Sequence, residues 1–256
     1  MKSYCIFHKN DILLRKESDG SYSLPCDSRI EKVLPPSADA MTVEQPEPGR
    51  QYITYPTIVH DLPGEDYTWC DLRESYYKLS AAAYKTAGKC KELTYWNDNN
   101  RYCSRCGSKM EFSSDISKKC TCCGREIWPL LATAIIVLVH KEDEVLLVHA
   151  RNFRRDFYGC VAGFVETGET LEEAVRREVM EETGIAIKNI RYFSSQPWPY
   201  PCGLMIGFHA DYDGGEIKLQ YEELEFGNWF GKDNLPDLPE KLSIARQLID
   251  HWLSGR

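Results

Sequence analysis

The sequence has no apolar stretch close to the length that a membrane-spanning helix needs, which is about 18 residues. It also lacks a basic charge balance, because 31 lysines and arginines stand against 39 aspartates and glutamates, a formal net charge of −8. Broad, sequence-independent nucleic-acid binding needs a basic surface and is disfavoured, although a local basic patch is not excluded. The apolar run at residues 4–7 is too short for a signal peptide. We therefore expect a cytoplasmic protein with no membrane partner.

A full set of disulfides is disfavoured, because the chain has an odd number of cysteines, eleven. Two groups of cysteines each end in glycine, Cys103-Ser-Arg-Cys106-Gly and Cys120-Thr-Cys122-Cys123-Gly. Two thiolate pairs of this kind suit tetrahedral Zn2+. We predict a closed structural zinc site made by Cys103, Cys106, Cys120 and Cys123, with Cys122 as a spare thiol. Free cysteines or a redox dithiol are the alternative.

Composition divides the 256 residues into three parts: an N-terminal domain at residues 1–95, a polar, cysteine-rich part at 96–127 and a C-terminal domain at 128–256. In the first part we predict strands at residues 4–8 and 11–15, a long surface loop over residues 34–49 and a helix over residues 75–85. In the last part we predict a hairpin with strands at residues 132–139 and 144–148.

The two predicted hairpins resemble each other. His8-Lys9 precedes the apolar residues 12–14, as His140-Lys141 precedes the apolar residues 145–147. This echo suggests that the N-terminal domain is a degenerate copy of the C-terminal one. Chance similarity between two short hairpins explains the echo equally well.

Residues 163–185 read GFVETGETLEEAVRREVMEETGI and carry helix boundaries at both ends. Thr170 and Glu173 form a capping box, and Gly184 supplies a left-handed stop. This pattern predicts a helix over residues 171–183.

The acidic residues of this helix are unusually placed. Glu178 and Glu182 share the face that carries the apolar residues, whereas a surface helix keeps its carboxylates on the opposite face. Paired carboxylates four residues apart destabilise a helix by about a few tenths of a kcal/mol, so the arrangement needs a compensating cation. Clustered oxygen ligands favour Mg2+ or Mn2+. The alternative is a solvated acidic helix.

Residues 163–185 fill every position of the Nudix box, G-x5-E-x7-REUxEExGU, so the chain resembles the Nudix hydrolases. Further along, residues 195–201 read SQPWPYP and resemble the SQPWPFPxS signature of the NADH pyrophosphatase subfamily. Prolines restrict the backbone of this segment, while Trp198 and Tyr200 offer flat faces to a base or nicotinamide. The chain departs from the signature at Tyr200, where the family has phenylalanine, and at Gly203, where it has serine.

The resemblance implies an α+β fold: a Nudix α/β/α sandwich with a mixed sheet, preceded by a zinc ribbon and an N-terminal α/β domain that could be of degenerate Nudix type. It implies binding of Mg2+ or Mn2+ by Glu178, Glu181, Glu182, Glu223 and the carbonyl group of Ala162. The catalytic set is Glu181, Glu182, Glu223 and Arg177, with Glu182 or Glu223 as the base, Arg177 orienting the glutamates and Glu169 bracing the loop. The implied substrate contacts are Gln196, Pro197, Trp198, Pro199, Tyr200, Pro201, Cys202, Gly203, Phe164, Trp128, Ala245, Arg73 and Asp115.

The activity implied by the resemblance is hydrolysis of the pyrophosphate bond of NADH or NAD+ to nicotinamide mononucleotide and AMP, by a homodimer, together with removal of NAD caps from RNA. One alternative is another nucleoside diphosphate, such as ADP-ribose or a diadenosine polyphosphate. Another is a zinc-ribbon RNA-binding module with an idle Nudix domain, which the intact glutamates disfavour.

Overall fold

The computed structural model describes residues 2–27, 29–30, 40–44, 51–56, 64–151 and 156–255. The chain divides into two compact units, Met1–Leu130 with Pro199–Cys202, and Leu131–Trp198 with Gly203–Arg256. The finer division into three domains, with boundaries after residues 95 and 127, stays a prediction. Within the described ranges, no helix has both the length and the apolar character needed to span a bilayer.

A mixed sheet forms the first part of the N-terminal unit. Its strands are β1 (Lys2–His8), β2 (Asp11–Lys16), β3 (Tyr22–Ser23), β4 (Met41–Glu44), β5 (Gln51–Pro56) and β6 (Tyr67–Asp71). The strand order is β3-β2-β1-β5-β4, and β6 also pairs with β2. Strand β1 runs parallel to β5, while the other pairs are antiparallel. The strands predicted at residues 4–8 and 11–15 are therefore present and slightly longer.

Two predictions for this unit are wrong. The predicted helix over residues 75–85 is replaced by a short 3-10 helix, Glu74–Tyr77, and by helix α1, Ala81–Asn99. The break arises because the Ser80 side chain accepts a hydrogen bond from the Ala83 backbone N–H at 3.2 Å and starts a new helix. The predicted loop over residues 34–49 contains strand β4, whose Met41 and Val43 are buried. Residues 34–39 and 45–49 lie outside the described ranges.

The cysteine-rich segment forms a small antiparallel sheet. Its strands are β7 (Met110–Ser114), β8 (Ser117–Cys120) and β9 (Glu126–Ile127), in the order β7-β8-β9. Its apolar cluster contains only Cys103, Met110 and Cys120, with Ile127 packed against them. So small a cluster needs a further stabilising element, such as a metal ion.

The second unit is built on a larger mixed sheet. Its strands are β10 (Ala132–Lys141), β11 (Glu144–Ala150), β12 (Val161–Phe164), β13 (Ala186–Trp198), β14 (Gly203–Gly214) and β15 (Leu224–Gly231). The order is β13-β14-β10-β11-β15, and β12 also pairs with β10. Strands β10 and β14 are parallel, and the remaining pairs are antiparallel. The predicted hairpin β10–β11 is confirmed.

A helix covers each face of this sheet. Helix α2 (Leu171–Thr183) contributes Val175 and Val179 to an apolar cluster that includes Val137 of β10. Helix α3 (Ile244–Leu253) contributes Leu248 to a second cluster that includes Leu138. Because neighbouring residues of β10 point to opposite faces, both sides of the strand are buried. The predicted α/β/α sandwich is confirmed.

The N-terminal sheet repeats the strand arrangement of the second unit. In each, an antiparallel hairpin (β1–β2 or β10–β11) is flanked by a parallel strand (β5 or β14) and by an antiparallel strand (β6 or β15). The two hairpin turns also match, because Lys9 and Glu142 have φ angles of 52° and 53°. Matching these two turn residues pairs His8 with Lys141 rather than with His140, a shift of one residue from the sequence echo. The arrangement supports a degenerate Nudix fold for the N-terminal sheet.

Candidate active site and zinc centre

Helix α2 has the boundaries that the sequence predicts. The Thr170 side chain accepts a hydrogen bond from the Glu173 backbone N–H at 3.2 Å, and the Glu173 carboxylate accepts one from the Thr170 N–H at 2.7 Å. At the other end, Gly184 is left-handed with φ 71°. The backbone N–H of Gln220 donates to the Glu182 carbonyl at 2.9 Å, which ties the end of the helix to the segment before β15.

Glycine is required at the first position of the box by the carboxylate of Glu178. A Cβ atom added at Gly163 would lie 2.0 Å from Glu178 Oε1 and 2.4 Å from Oε2. Such distances are impossible for non-bonded atoms, so any larger residue must displace this carboxylate. Strand β12 and helix α2 thereby place Glu178 directly against the backbone of the box loop.

Arg177 connects the loop to the acidic residues of the helix. Its guanidinium donates to Glu178 at 2.9 Å, to Glu181 at 3.1 Å and to the Phe164 carbonyl at 2.9 Å. A further pair of hydrogen bonds reaches Glu169, one of them at 2.9 Å. These bonds lower the pKa of Glu169 to about 2, which keeps the carboxylate charged. These hydrogen bonds connect the loop to the helix, and the orienting function of Arg177 and the bracing function of Glu169 stay predictions.

Glu182 is the most buried acid of the group, with 4% of its surface exposed. Burial, followed by the neighbouring charges of Glu178, Glu223 and Glu181, raises the pKa of Glu182 to about 8. Burial also raises the pKa of Glu178. Within the described part of the chain, the Glu182 carboxylate receives no side-chain or backbone hydrogen bond. A largely buried acid that faces other acids suits a divalent cation.

The carboxylates are near one another without forming a closed cage. Among the described residues, the cysteine group is the one set of three or more potential ligands whose atoms all lie within 4.8 Å of one another. Two of the acids, Glu178 and Glu181, are engaged by Arg177. Glu223 is exposed in the segment before β15, and Ala162 lies in β12 next to Gly163. The donor set of carboxylates and a carbonyl fits a hard divalent ion.

Arg151 supports the segment that carries Glu223, a function that the sequence did not reveal. Its backbone N–H donates to the Glu223 carbonyl at 2.9 Å, and its guanidinium donates to the Tyr221 carbonyl. Seventy residues separate Arg151 from Tyr221 in sequence. The only sequence signal for it is a basic residue at the end of strand β11.

The four cysteines chosen from sequence come together in the ribbon, and Cys122 is not among them. The Cys103 and Cys123 sulfurs are 3.7 Å apart, and those of Cys106 and Cys120 are 3.4 Å apart. Four sulfurs at about 2.3 Å from a tetrahedral Zn2+ would lie about 3.8 Å from one another. Gly107 and Gly124 follow the two knuckles with φ angles of 74° and 70°, which only glycine adopts readily. The site therefore fits zinc.

The proline-rich segment is less of a free loop than the sequence suggests. Residues up to Trp198 belong to β13 and pair with β14, where Trp198 lies opposite Gly203. The Gln196 side chain is engaged within the protein: it donates to the Leu242 carbonyl at 2.8 Å and accepts from the Ile244 N–H at 2.7 Å. These bonds hold the start of helix α3. Only Pro199–Cys202 form the turn itself, and they belong to the N-terminal unit.

Two of the predicted substrate contacts meet in that unit. The Arg73 guanidinium carbon lies 4.4 Å from the centroid of the Tyr200 ring, a cation–π contact. The Tyr200 hydroxyl lies 3.1 Å from the hydroxyl of Tyr84, a residue that the sequence did not single out. Because 116 residues separate these two tyrosines, no local pattern could connect them.

The other predicted contacts lie in different surroundings. Trp128 and Phe164 have 53% and 66% of their surfaces exposed, Trp128 in the N-terminal unit and Phe164 in the second. Asp115 is exposed in the turn between β7 and β8. Ala245 is only 7% exposed and packs in the apolar cluster beneath α3, so its side chain serves the core. Contact of these four residues with substrate stays a prediction.

Comparison with known proteins identifies two families. Residues 129–253 match the NUDIX domain, and residues 98–127 match the NADH pyrophosphatase zinc ribbon domain. The chain is 40% identical over 195 residues to the NAD-capped RNA hydrolase NudC of Chromobacterium violaceum, covering 76% of this chain and 74% of that protein. It is 41% identical over 197 residues to the protein of the same name from Stutzerimonas stutzeri, covering 77% of this chain and 71% of that protein.

A solved structure agrees with the fold. A Nudix hydrolase from Nitrosomonas europaea superposes with a TM-score of 0.52 and 22% identity, covering 61% of this chain and 92% of that chain. From its box, its zinc ribbon and these relatives, the chain belongs to the Nudix hydrolases of the NADH pyrophosphatase type, the family of the NudC proteins.

Proposed function

We propose that this enzyme hydrolyses the pyrophosphate bond of NADH and NAD+, giving nicotinamide mononucleotide and AMP, and that it removes NAD caps from RNA. The relatives at about 40% identity, named NAD-capped RNA hydrolases, support this activity. The observation that carries the proposal is Glu182, a residue only 4% exposed, whose carboxylate lies near those of Glu178, Glu223 and Glu181 within an intact Nudix box. Burying an acid beside other acids costs free energy, and a domain that binds no metal would gain nothing in return.

The chain's residues divide the work of the reaction. Glu178, Glu181, Glu182, Glu223 and the Ala162 carbonyl would hold Mg2+ or Mn2+. Such a cation supplies positive charge against the phosphate oxygens and makes water a better nucleophile. Glu182 or Glu223 takes a proton from the attacking water, the oxygen of that water bonds to phosphorus, and the P–O–P bridge breaks. The products are two monophosphates.

Substrate recognition is assigned to the SQPWPYP segment. From the resemblance, the exposed rings of Trp128 and of Phe164 are each expected to stack on a base. Tyr200, which is partly buried against the N-terminal core and contacts Arg73, is the further aromatic group. Assembly as a homodimer and location in the cytoplasm are further proposals, which rest on the family resemblance and on the number of reduced cysteines.

The test is product analysis with NADH, NAD+, ADP-ribose and a 5′-NAD oligonucleotide, each with Mg2+ or Mn2+. We expect AMP from the dinucleotides, and Glu182→Gln should abolish its release while the protein stays folded. Glu172→Gln, an exposed acid on the same helix, is the matched control and should keep normal turnover. Normal turnover by Glu182→Gln would contradict the assignment.

The substrate panel also separates the alternatives. Cleavage of ADP-ribose without cleavage of NADH would show that the SQPWPYP segment serves another nucleoside diphosphate. Turnover of the capped oligonucleotide more than tenfold above that of NADH would make RNA the principal substrate. Metal-independent RNA binding without any release of AMP would favour the binding-module interpretation.

A further inference from the structure

Helix α1 supports the turn that joins β13 to β14. A Cβ atom added at Gly88 would lie 3.3 Å from Pro199 Cγ, so the helix and the turn are already in close contact there. One helical turn earlier, the hydroxyl of Tyr84 lies 3.1 Å from that of Tyr200. Residues four apart share a helix face, so Tyr84 and Gly88 present one surface to the turn. Pro199 is buried in this contact.

Contacts with Tyr84 and with Arg73 both restrain Tyr200. The hydrogen bond with Tyr84 restrains the direction of the ring axis, because the hydroxyl lies on that axis. The Arg73 guanidinium, stacked on the ring, restrains its plane. Tyr84 is itself held by an edge-to-face contact with Tyr76, whose ring centroid is 5.3 Å away. The ring of Tyr200 is therefore held in one orientation.

The hydroxyl of Tyr200 is the point at which this chain departs from the family signature, which has phenylalanine there. In the described structure that added hydroxyl has a specific partner, Tyr84. Burial raises the pKa of both phenols, so both stay neutral, and one donates the hydrogen bond that the other accepts. Tyr200, which departs from the signature, and Tyr84, which satisfies its hydroxyl, lie on different segments of the N-terminal unit.

We propose that Tyr84 and Gly88 are positioning residues for substrate recognition. They seat the turn so that Tyr200 meets the base or nicotinamide of a dinucleotide in a single orientation. Neither residue touches the reacting atoms: Tyr84 acts through Tyr200, and Gly88 acts through Pro199. The inference rests on the proposed function, in which Tyr200 contacts the substrate, and it gives the N-terminal unit a part in recognition.

The test is a double-mutant cycle of Tyr84→Phe, Tyr200→Phe and the double variant, measured by steady-state hydrolysis of NADH. Loss of one hydrogen bond should raise KM about threefold to tenfold in Tyr84→Phe, while kcat stays within about twofold. The double variant should be no worse than the single ones, because the same bond is already lost. Tyr95→Phe, on the same helix at a residue 39% exposed, is the matched control and should behave as wild type.

Gly88→Ala gives a second, independent measurement. Alanine favours the helix interior, so the melting temperature should hold or rise. The new Cβ presses on Pro199, so KM should rise at the same time. A residue with a purely structural function would not weaken substrate binding while the stability holds or rises.

The proposal is overturned if Tyr84→Phe matches Tyr95→Phe, if the effects of the two single variants add in the double variant, or if kcat falls at constant KM. Failure of the proposed substrate gives a different result, because wild type itself would then release no AMP from NADH. In that case the same cycle, measured with ADP-ribose, still decides whether Tyr84 positions Tyr200.

Discussion

Replacement of Gly163 by alanine should disable the metal site through the displacement of a single carboxylate. The new Cβ would lie 2.0 Å from Glu178 Oε1, and ordinary contact begins at 3.4 Å, so the oxygen must move by about 1.4 Å (3.4 minus 2.0). Metal–oxygen distances tolerate only about 0.2 Å. Glu178 can therefore no longer bind an ion in its present place.

The expected size of the effect on metal affinity and activity follows from the loss of one properly placed metal ligand. Disturbing groups that orient metal ligands costs about 10 to 100-fold in metal affinity or activity, and displacing a ligand should reach at least the upper part of that range. We therefore expect the Mn2+ concentration for half-maximal activity to rise, or kcat to fall, by at least the upper part of that range. The assay is AMP release from NADH across a Mn2+ titration, with the melting temperature recorded for each variant.

Two variants isolate the cause. Gly214→Ala, at a strand glycine with no atom within 4 Å of an added Cβ, should keep normal activity. Adding Glu178→Ala to Gly163→Ala should cost little further activity, because the carboxylate is already displaced. Wild-type metal dependence in Gly163→Ala, or an equal loss in Gly214→Ala, would refute the reasoning.

Two further predictions concern the zinc centre and a buried histidine. Cys120→Ser should lose bound zinc and unfold the ribbon, whereas Cys122→Ser, outside the sulfur cluster, should keep one zinc ion by metal analysis; equal zinc loss in both would contradict the assignment. Burial, then the charges of His140 and His251, lowers the pKa of His209 to about 4, with Arg191 and Asp211 also nearby. The folded chain thus keeps His209 neutral, whereas histidine in the unfolded chain has a pKa of about 6.5. The contribution of His209 to the free energy of unfolding is therefore complete above about pH 6.5 and is lost as the pH falls towards 4. Chemical denaturation should show a loss of about 2 kcal/mol between about pH 7.5 and about pH 5, reduced in His209→Phe but not in His8→Gln. An unchanged loss in His209→Phe would exclude this histidine as the source.

Local chemistry explains which elements could be predicted. The ends of helix α2 follow from Thr170, Glu173 and Gly184, which act within one turn of each boundary. The four clustered cysteines follow from two short spacings closed by glycine. The predicted helix over residues 75–85 failed for a local reason too: the capping potential of Ser80 outweighed the helical composition around it.

The sequence by itself determined the reaction class, the acidic helix and the four cysteines that cluster in the ribbon, because each depends on residues close together in the chain. Only the tertiary structure decided that Glu178 lies on Gly163, that Arg151 holds the segment of Glu223, and that Tyr84 meets Tyr200. These contacts join residues 15 to 116 positions apart (178 − 163 and 200 − 84). Their geometry depends on how strands and helices pack, and no pattern of neighbouring residues encodes it.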